Sequence, residues 1–337
     1  MESKLTYLRR IIGLLIILFT IASCKNDNGE EASNLGSKPI SERVKVPKFN
    51  ADSAYYFIEK QLSFGPRVPG TEASQKCADW MVEKLKGYGA KVVLQDFEVD
   101  FLDQKNVPAT NIIASFNPKK QRRVLLCAHW DSRAIADKDD DRKNEAIPGA
   151  DDGASGTAAL IEIARVLAQN PIDLGIDIVL FDAEDQGEMG PGNDSSWALG
   201  SQYFSLNPPG SNFKAEFGIL LDMIAAKGAR FGKEGYSMQY ARKMTDKIWK
   251  LAQAMGNGHL FQNVNVGPIT DDHYWINTGL QIPTVDIINI PGTGNGSFGA
   301  YHHTHEDDID IIDKRNLKSV GQVVLAVIYR TSDNSLL

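Results

Sequence analysis

The feature that most constrains the fold of this chain is a series of apolar runs that end at His or Asp. Three runs have this form: residues 124–128 before His129, residues 176–181 before Asp182, and residues 218–221 before Asp222. Nearly unbroken apolar runs are typical of strands that are covered on both faces, as in parallel sheets. Helical periodicity between the runs indicates βαβ units. We therefore expect an α/β fold with a central mixed, largely parallel, twisted β-sheet flanked by helices.

Further periodic segments extend this pattern along the chain. Helices are predicted at 53–63, 72–87, 154–168, 237–255 and 314–331, and additional strands at 91–99, 111–116 and 283–290. The strands at 91–99 and 111–116 are predicted to pair at an edge of the sheet. Because no internal repeat and no low-complexity linker interrupts residues 46–337, we expect them to form one catalytic domain.

The N-terminal segment has the features of an export signal. Three basic residues precede an apolar stretch at 11–21, which is shorter than the roughly 20 residues of a membrane-spanning helix. The stretch ends in Ile-Ala-Ser-Cys24, which resembles the lipobox of bacterial lipoproteins. We expect residues 1–23 to be a signal peptide, Cys24 to be lipidated, and residues 24–45 to be a flexible tether. The mature protein would be an exported bacterial lipoprotein, held by its lipid at the periplasmic side of the outer membrane or at the cell surface.

The net charge argues against nucleic-acid binding, and the cysteine spacing argues against a zinc site made of cysteines. The formal net charge is −7, and an acidic protein is a poor candidate for binding nucleic acid. Apart from Cys24, the cysteines are Cys77, in a predicted helix, and Cys127, in a predicted strand. Their spacing is not that of zinc ligands. An exported compartment would allow a disulfide between them, but we expect two buried free thiols.

Side chains suited to metal binding and proton transfer gather near the strand ends. Asp152 lies in a Gly-rich turn before a predicted helix, Glu184 and Asp185 follow a predicted strand, and His303 lies in a His-rich segment. The carboxyl ends of parallel strands meet at one edge of a sheet, where α/β proteins bind ligands. Catalytic zinc is held by a few His and carboxylate side chains and keeps one position open. The sequence therefore predicts a zinc site at this edge, where one of two adjacent carboxylates remains free to act as a base.

The order of these motifs resembles the zinc aminopeptidase-like (M28) family of α/β exopeptidases. The matching segments are His129-x-Asp131, Asp152-Gly153-Ala154-Ser155-Gly156, Glu184-Asp185, Asp222 and His303-Thr304. The resemblance covers roughly residues 50–335 and implies the α/β fold of the zinc exopeptidases.

A narrower resemblance is to the bacterial glutaminyl cyclases of animal type. It is carried by the segments His129–Arg133, Phe181–Asp185, Leu221–Met223, Ile269–Tyr274 and His303–His305. These enzymes use one zinc to convert the N-terminal glutamine of peptides and proteins to pyroglutamate, and they release ammonia. The resemblance implies the same activity, cofactor and substrates for this chain.

The cyclase resemblance also implies roles for individual residues. The implied zinc ligands are Asp152, Asp185 and His303, and the implied catalytic residues are Glu184, Asp222 and Asp271. Glu184 would take a proton from the attacking α-amine and deliver it to the departing ammonia, with the other two carboxylates as its partners. Trp197 and His302 would bind the substrate, although related cyclases have a tryptophan where this chain has His302.

Two other functions are compatible with the same residues. In a two-zinc aminopeptidase that hydrolyses N-terminal residues, Asp152 would bridge the metals, His129 and Asp222 would hold one, and Asp185 and His303 would hold the other. The segment 271–273, Asp-Asp-His, favours the cyclase, because simple aminopeptidases of the family are not expected to carry it. The third function is that of a binding lipoprotein without activity; such proteins usually lose a ligand or the base, and this chain has kept both.

Overall fold

The computed structural model describes residues 44–291 and 298–336. The predicted signal peptide, the predicted lipidation residue Cys24 and nearly all of the predicted tether lie outside the described residues. Within the described ranges, every helix is too short or too polar to cross a membrane.

Strands and helices alternate along the described part of the chain. The strands are β1 (Lys91–Phe101), β2 (Gln104–Phe116), β3 (Arg123–His129), β4 (Gly175–Phe181), β5 (Gly218–Asp222), β6 (Phe231–Lys233), β7 (Phe261–Asn265) and β8 (Thr284–Ile288). The α-helices are α1 (Ala51–Leu62), α2 (Glu72–Gly87), α3 (Ala154–Gln169), α4 (Leu199–Leu206), α5 (Gly235–Tyr240), α6 (Arg242–Ala254), α7 (Asp272–Trp275) and α8 (Lys314–Ser332). A π-helical turn, Ile276–Leu280, continues from α7.

The main sheet confirms the predicted fold class. Its strand order is β1-β2-β4-β3-β5-β8, and β4, β3, β5 and β8 are mutually parallel. The predicted pair at the edge is present, since β1 and β2 pair antiparallel and β2 also pairs antiparallel with β4. His129 at the end of β3 lies beside Phe181 at the end of β4. The carboxyl ends of these strands therefore share one edge of the sheet.

The central strands are largely apolar because helices cover both of their faces. In β3, Leu126 faces the larger hydrophobic core, with α1, α3 and α8, whereas Leu125 and Cys127 face a second cluster that contains Phe204 of α4. This alternation is the period of two expected of a strand. Both predicted buried free thiols, Cys77 and Cys127, are confirmed.

Close approach of α3 to β5 brings the start of this helix to the strand ends. A Cβ atom at Gly156 would lie 2.1 Å from the carbonyl oxygen of Leu221, so only glycine permits this spacing. The turn that contains Asp152 immediately precedes α3 and is thereby fixed next to the end of β5.

The structure differs from the sequence-based expectations in one divided helix, in one small sheet, and in the short helices α4 and α7, which were not predicted. The helix predicted at 237–255 is divided into α5 and α6, because Ala241 leaves helical geometry with φ −127°. Glu234 starts α5 earlier than predicted by accepting hydrogen bonds from the backbone N–H groups of Tyr236 and Ser237. The two-stranded sheet of β6 and β7 was not predicted, since β6 has three residues, too few to show periodicity.

Candidate active site

The strand ends and the loops beside them bring the predicted site residues together. His129 ends β3, Asp222 ends β5, and Glu184 and Asp185 lie in the turn after β4. A cavity of about 250 Å³ opens at this edge of the sheet. Among its lining residues are Asp152, Glu184, Asp185, Trp197, Asp222, Asp271, His302 and His303. All of the predicted metal, catalytic and substrate-binding residues except His129 therefore line this single cavity.

Asp131 fixes the turn that carries the two adjacent carboxylates. It accepts hydrogen bonds from the backbone N–H groups of Glu184 (3.0 Å) and Asp185 (3.1 Å) and from the side chain of Gln186 (2.9 Å). Ala183 adopts a left-handed conformation with φ +55°, which turns the chain sharply after β4. Asp185 is thereby buried, whereas the half-buried Glu184 lines the cavity.

A second buried network holds the turn that contains Asp152. Asp307 accepts hydrogen bonds from the backbone N–H groups of Asp151 (2.7 Å) and Asp152 (3.1 Å). Asp151 in turn accepts from the backbone N–H of Ala225 (2.7 Å) and from the hydroxyl of Tyr301 (2.6 Å). Asp152 is thus positioned from both sides by groups far away in the chain, none of which the sequence analysis identified.

The donor atoms on one side of Asp152 fit a zinc ion. His303 Nε2 lies 3.0 Å from Asp185 Oδ1, and the ligand atoms of His303 and Asp152 lie within 4.8 Å of each other. Among the described residues, Oδ2 of Asp152 and Oδ2 of Asp185 are buried without a hydrogen-bond partner. Such oxygens are costly unless a cation or proton compensates them. Two carboxylates and one imidazole form a suitable ligand set for catalytic zinc.

His129 lies on the other side of Asp152. Its Nε2 is 3.1 Å from Asp152 Oδ1 and 3.1 Å from Asp222 Oδ1. Burial lowers the pKa of His129, but hydrogen bonds to the carboxylates of Asp131, Asp152 and Asp222 outweigh burial and raise it well above its usual value. The other ring nitrogen, Nδ1, lies 3.3 Å from Asp131 Oδ1. The same three side chains, His129, Asp152 and Asp222, could also hold a second metal.

Glu184 is placed for proton transfer. Burial raises its pKa well above the usual value, and the charges of Asp271, Asp272 and Asp185 add to this effect, whereas His129 opposes it. A carboxyl group with a raised pKa both accepts and donates a proton near neutral pH. Burial likewise raises the pKa of Asp222 to about 8.

Stacked rings form one wall of the cavity. Trp197 stacks on His303, with ring centroids 5.8 Å apart and planes at 15°, and the Arg133 guanidinium lies 4.8 Å from the Trp197 ring centroid. His302 lies between His303 and Phe298, at centroid distances of 3.7 and 4.3 Å. Both residues predicted to contact substrate, Trp197 and His302, therefore line the cavity.

Two side chains of the loop 132–148 contact the site but were not predicted to do so. Asp137 accepts from His303 Nδ1 at 3.0 Å, which orients the imidazole, and Lys138 Nζ lies 2.5 Å from His302 Nδ1. The loop has no periodicity and many charges, including the run at 139–143. No local signal separates these two residues from their exposed neighbours.

The buried carboxyl group of Asp286, close to Asp271, was also not predicted. Asp271 caps the N-terminus of α7, and carboxylate oxygens of Asp271 and of Asp286 in β8 lie within 4.8 Å of each other. Burial and then the charges of Asp271 and Glu234 raise the pKa of Asp286 well above its usual value. Glu234 Oε2 lies 2.8 Å from Nε2 of His273. A charged residue within the apolar run 284–288 was the signal that could have identified Asp286.

Comparison with known proteins gives a consistent family. The model of Peptidase family M28 matches residues 111–328. The crystal structure of Bacteroides thetaiotaomicron glutaminyl cyclase bound to N-acetylhistamine is 45% identical, with a TM-score of 0.81 over 85% of this chain and 99% of that chain.

Curated relatives include both kinds of enzyme. Glutaminyl-peptide cyclotransferase from Bos taurus is 24% identical over 291 residues, which are 77% of this chain and 76% of that protein. Aminopeptidase YwaD from Bacillus subtilis is 25% identical over 233 residues, which are 66% of this chain and 45% of that protein. Alignments with two further relatives from Escherichia coli span only 32% and 41% of their length.

Proposed function

This chain belongs to peptidase family M28, and we propose that within this family it is a zinc-dependent glutaminyl-peptide cyclotransferase, which converts N-terminal glutamine to pyroglutamate. The observation that carries this proposal is the position of Asp271 in the same cavity as Glu184, Asp222 and the candidate zinc ligands. The similarity to a bacterial glutaminyl cyclase at 45% identity supports it. Its substrates would be the N-termini of peptides and proteins.

Asp152, Asp185 and His303 would hold one zinc ion. The unpartnered carboxylate oxygens of Asp152 and Asp185 support this assignment. When bound, zinc polarises the γ-carboxamide carbonyl as a Lewis acid. Asp137 keeps the Nε2 lone pair of His303 directed at the ligand site, because Nδ1 donates to Asp137.

Glu184 moves the proton in this reaction. The α-amine nitrogen forms a bond to the γ-carboxamide carbon, and Glu184 accepts the proton that the amine loses. The carbon–nitrogen bond of the carboxamide then breaks, and Glu184 returns the proton to the leaving nitrogen, which departs as ammonia. Because amine and carboxamide belong to one residue, the cavity mainly has to hold the side chain folded back on the amine.

Asp222 and Asp271 support Glu184 in different ways. Asp222 ends β5 beside the cavity, where its carboxylate would bind the substrate α-amine. Asp271 is held by its cap interaction with α7. Its charge contributes to the raised pKa of Glu184, which keeps Glu184 able to return the proton to the leaving ammonia.

A two-zinc aminopeptidase is the second candidate function. The specific observation in its favour is that His129 Nε2 lies 3.1 Å from both Asp152 and Asp222, so these three side chains could hold a second metal. Asp152 would then bridge the metals, and Glu184 would activate water. The similarity to Aminopeptidase YwaD is compatible with this function.

A product assay distinguishes the two enzymes. We expect the zinc-loaded mature protein to release ammonia from the dipeptide Gln-Ala and to leave a product that resists a general aminopeptidase, with one zinc per chain by metal analysis. Ala-Gln, in which glutamine is not N-terminal, is the control and should release no ammonia. Formation of free glutamine and alanine with two zincs per chain would contradict the cyclase proposal.

We propose that the mature protein is an exported bacterial lipoprotein anchored through Cys24. The basic flank, the apolar stretch 11–21 and the lipobox-like Ile-Ala-Ser-Cys support this proposal. In cells fed labelled palmitate, Cys24→Ser should lose both the label and the membrane association. Cys77→Ser, at a buried thiol, is the control and should keep both. A labelled Cys24→Ser protein would exclude lipidation at this residue.

A further inference from the structure

The imidazole of His302 is held in place on three sides. Its ring is stacked between Phe298 and His303, with interplanar angles of 15° and 19°. Its Nδ1 lies 2.5 Å from the Nζ of Lys138, which also lies 5.7 Å from the Phe298 ring centroid. Stacking fixes the plane of the ring, and Lys138 fixes its rotation within that plane.

Lys138 also determines which ring nitrogen of His302 carries the proton. A lysine ammonium has three donors and no acceptor, so Nδ1 of His302 must accept the hydrogen bond and carries no proton. An imidazole keeps at least one ring proton, and that proton is therefore on Nε2.

A protonated Nε2 excludes His302 from metal binding. The ligand atoms of Asp152, His302 and His303 lie within 4.8 Å of one another, so distance alone would allow His302 to be a zinc ligand. Zinc binds the imidazole nitrogen that lacks a proton. In His302 this nitrogen is Nδ1, and it already accepts the hydrogen bond from Lys138. His302 Nε2 lies 3.8 Å from Asp152 Oδ2, beyond hydrogen-bond distance. Its N–H therefore lies next to the zinc ligands but is not used by Asp152.

We propose that Lys138 fixes His302 as a hydrogen-bond donor, through Nε2–H, to the amide oxygen of the N-terminal glutamine. This inference rests on the proposed cyclase function. Negative charge develops on that oxygen when the α-amine attacks the carbon, and a donor that is oriented beforehand stabilises this charge without reorganisation. His302 is then a catalytic residue, and Lys138 is a positioning residue that acts through it.

Kinetics of matched variants test the two roles. His302→Phe keeps a ring in the stack but removes the donor, and we expect kcat to fall by about 100-fold with little change in KM. Lys138→Met keeps the alkyl chain but frees the tautomer of His302, and we expect a smaller fall in kcat, which Lys138→Arg restores. Lys143→Met, at an exposed lysine of the same loop, is the control and should match the wild type. A wild-type kcat in His302→Phe would overturn the donor role.

Two spectroscopic measurements test the assignment independently of activity. In the ¹⁵N-histidine-labelled zinc protein, the long-range ¹H–¹⁵N spectrum should show His302 as the Nε2–H tautomer, with both tautomers present in Lys138→Met. After cobalt replaces zinc, the absorption spectra of the wild type and His302→Phe should coincide. An Nδ1–H tautomer, or a changed cobalt spectrum in His302→Phe, would overturn the assignment. A wild-type protein that releases no ammonia would instead overturn the cyclase function and the substrate atom named here.

Discussion

Glu184→Gln is expected to lower kcat for N-terminal glutamine by about 10²–10⁴-fold while zinc remains bound. Glutamine has nearly the same shape as glutamate, but its amide cannot accept the proton from the attacking amine. Glu184 lines the cavity and has a raised pKa because of burial and neighbouring carboxylates. Steady-state ammonia release and zinc analysis of the purified variant measure the two effects.

The matched control for this variant is Glu188→Gln. Glu188 is an exposed glutamate four residues further along the chain, and its substitution should leave both kcat and zinc content unchanged. A near-normal rate in Glu184→Gln would falsify the assignment of this residue as the base. Loss of zinc in Glu184→Gln would instead identify Glu184 as a metal ligand.

His303→Ala is expected to abolish zinc binding and turnover together. His303 supplies the imidazole nitrogen that lies 3.0 Å from Asp185 Oδ1, and Asp137 orients this imidazole. Loss of a partner that only orients a ligand typically costs 10–100-fold in metal affinity, so loss of the ligand itself should cost more than about 100-fold. Zinc titration by competition with a chelator measures the affinity, and His259→Ala, at an exposed histidine, is the control.

His129→Ala distinguishes one zinc from two. In a one-zinc cyclase, His129 only forms hydrogen bonds to the carboxylates of Asp131, Asp152 and Asp222, so the variant should keep its zinc and lose less activity than His303→Ala. In a two-zinc aminopeptidase, the same variant should lose one of two metals. Metal analysis of both variants beside the wild type therefore tests the proposed ligand set, and a drop from two zincs to one in His129→Ala would contradict it.

Most of the fold and the composition of the site followed from local sequence patterns. The runs before His129, Asp182 and Asp222 predicted the central strands, because a strand buried on both faces is apolar at nearly every position. Since parallel strands end at a common edge, the same pattern predicted that Asp152, Glu184 and Asp222 lie close together. The break between α5 and α6 could not be predicted in this way, because the helical period of the side chains continues across Ala241.

The identity and order of the site residues are thus properties of the amino-acid sequence, because strand ends and Gly-rich turns are specified locally. The environment of each side chain depends on the tertiary structure. Lys138 and His302 are 164 positions apart, and a lysine in a charged loop has the same local pattern whether it is solvated or bonded to an imidazole. Packing of that loop against the stacked rings of Phe298, His302 and His303 decides which case applies, because only the folded chain brings Nζ and Nδ1 within hydrogen-bond distance.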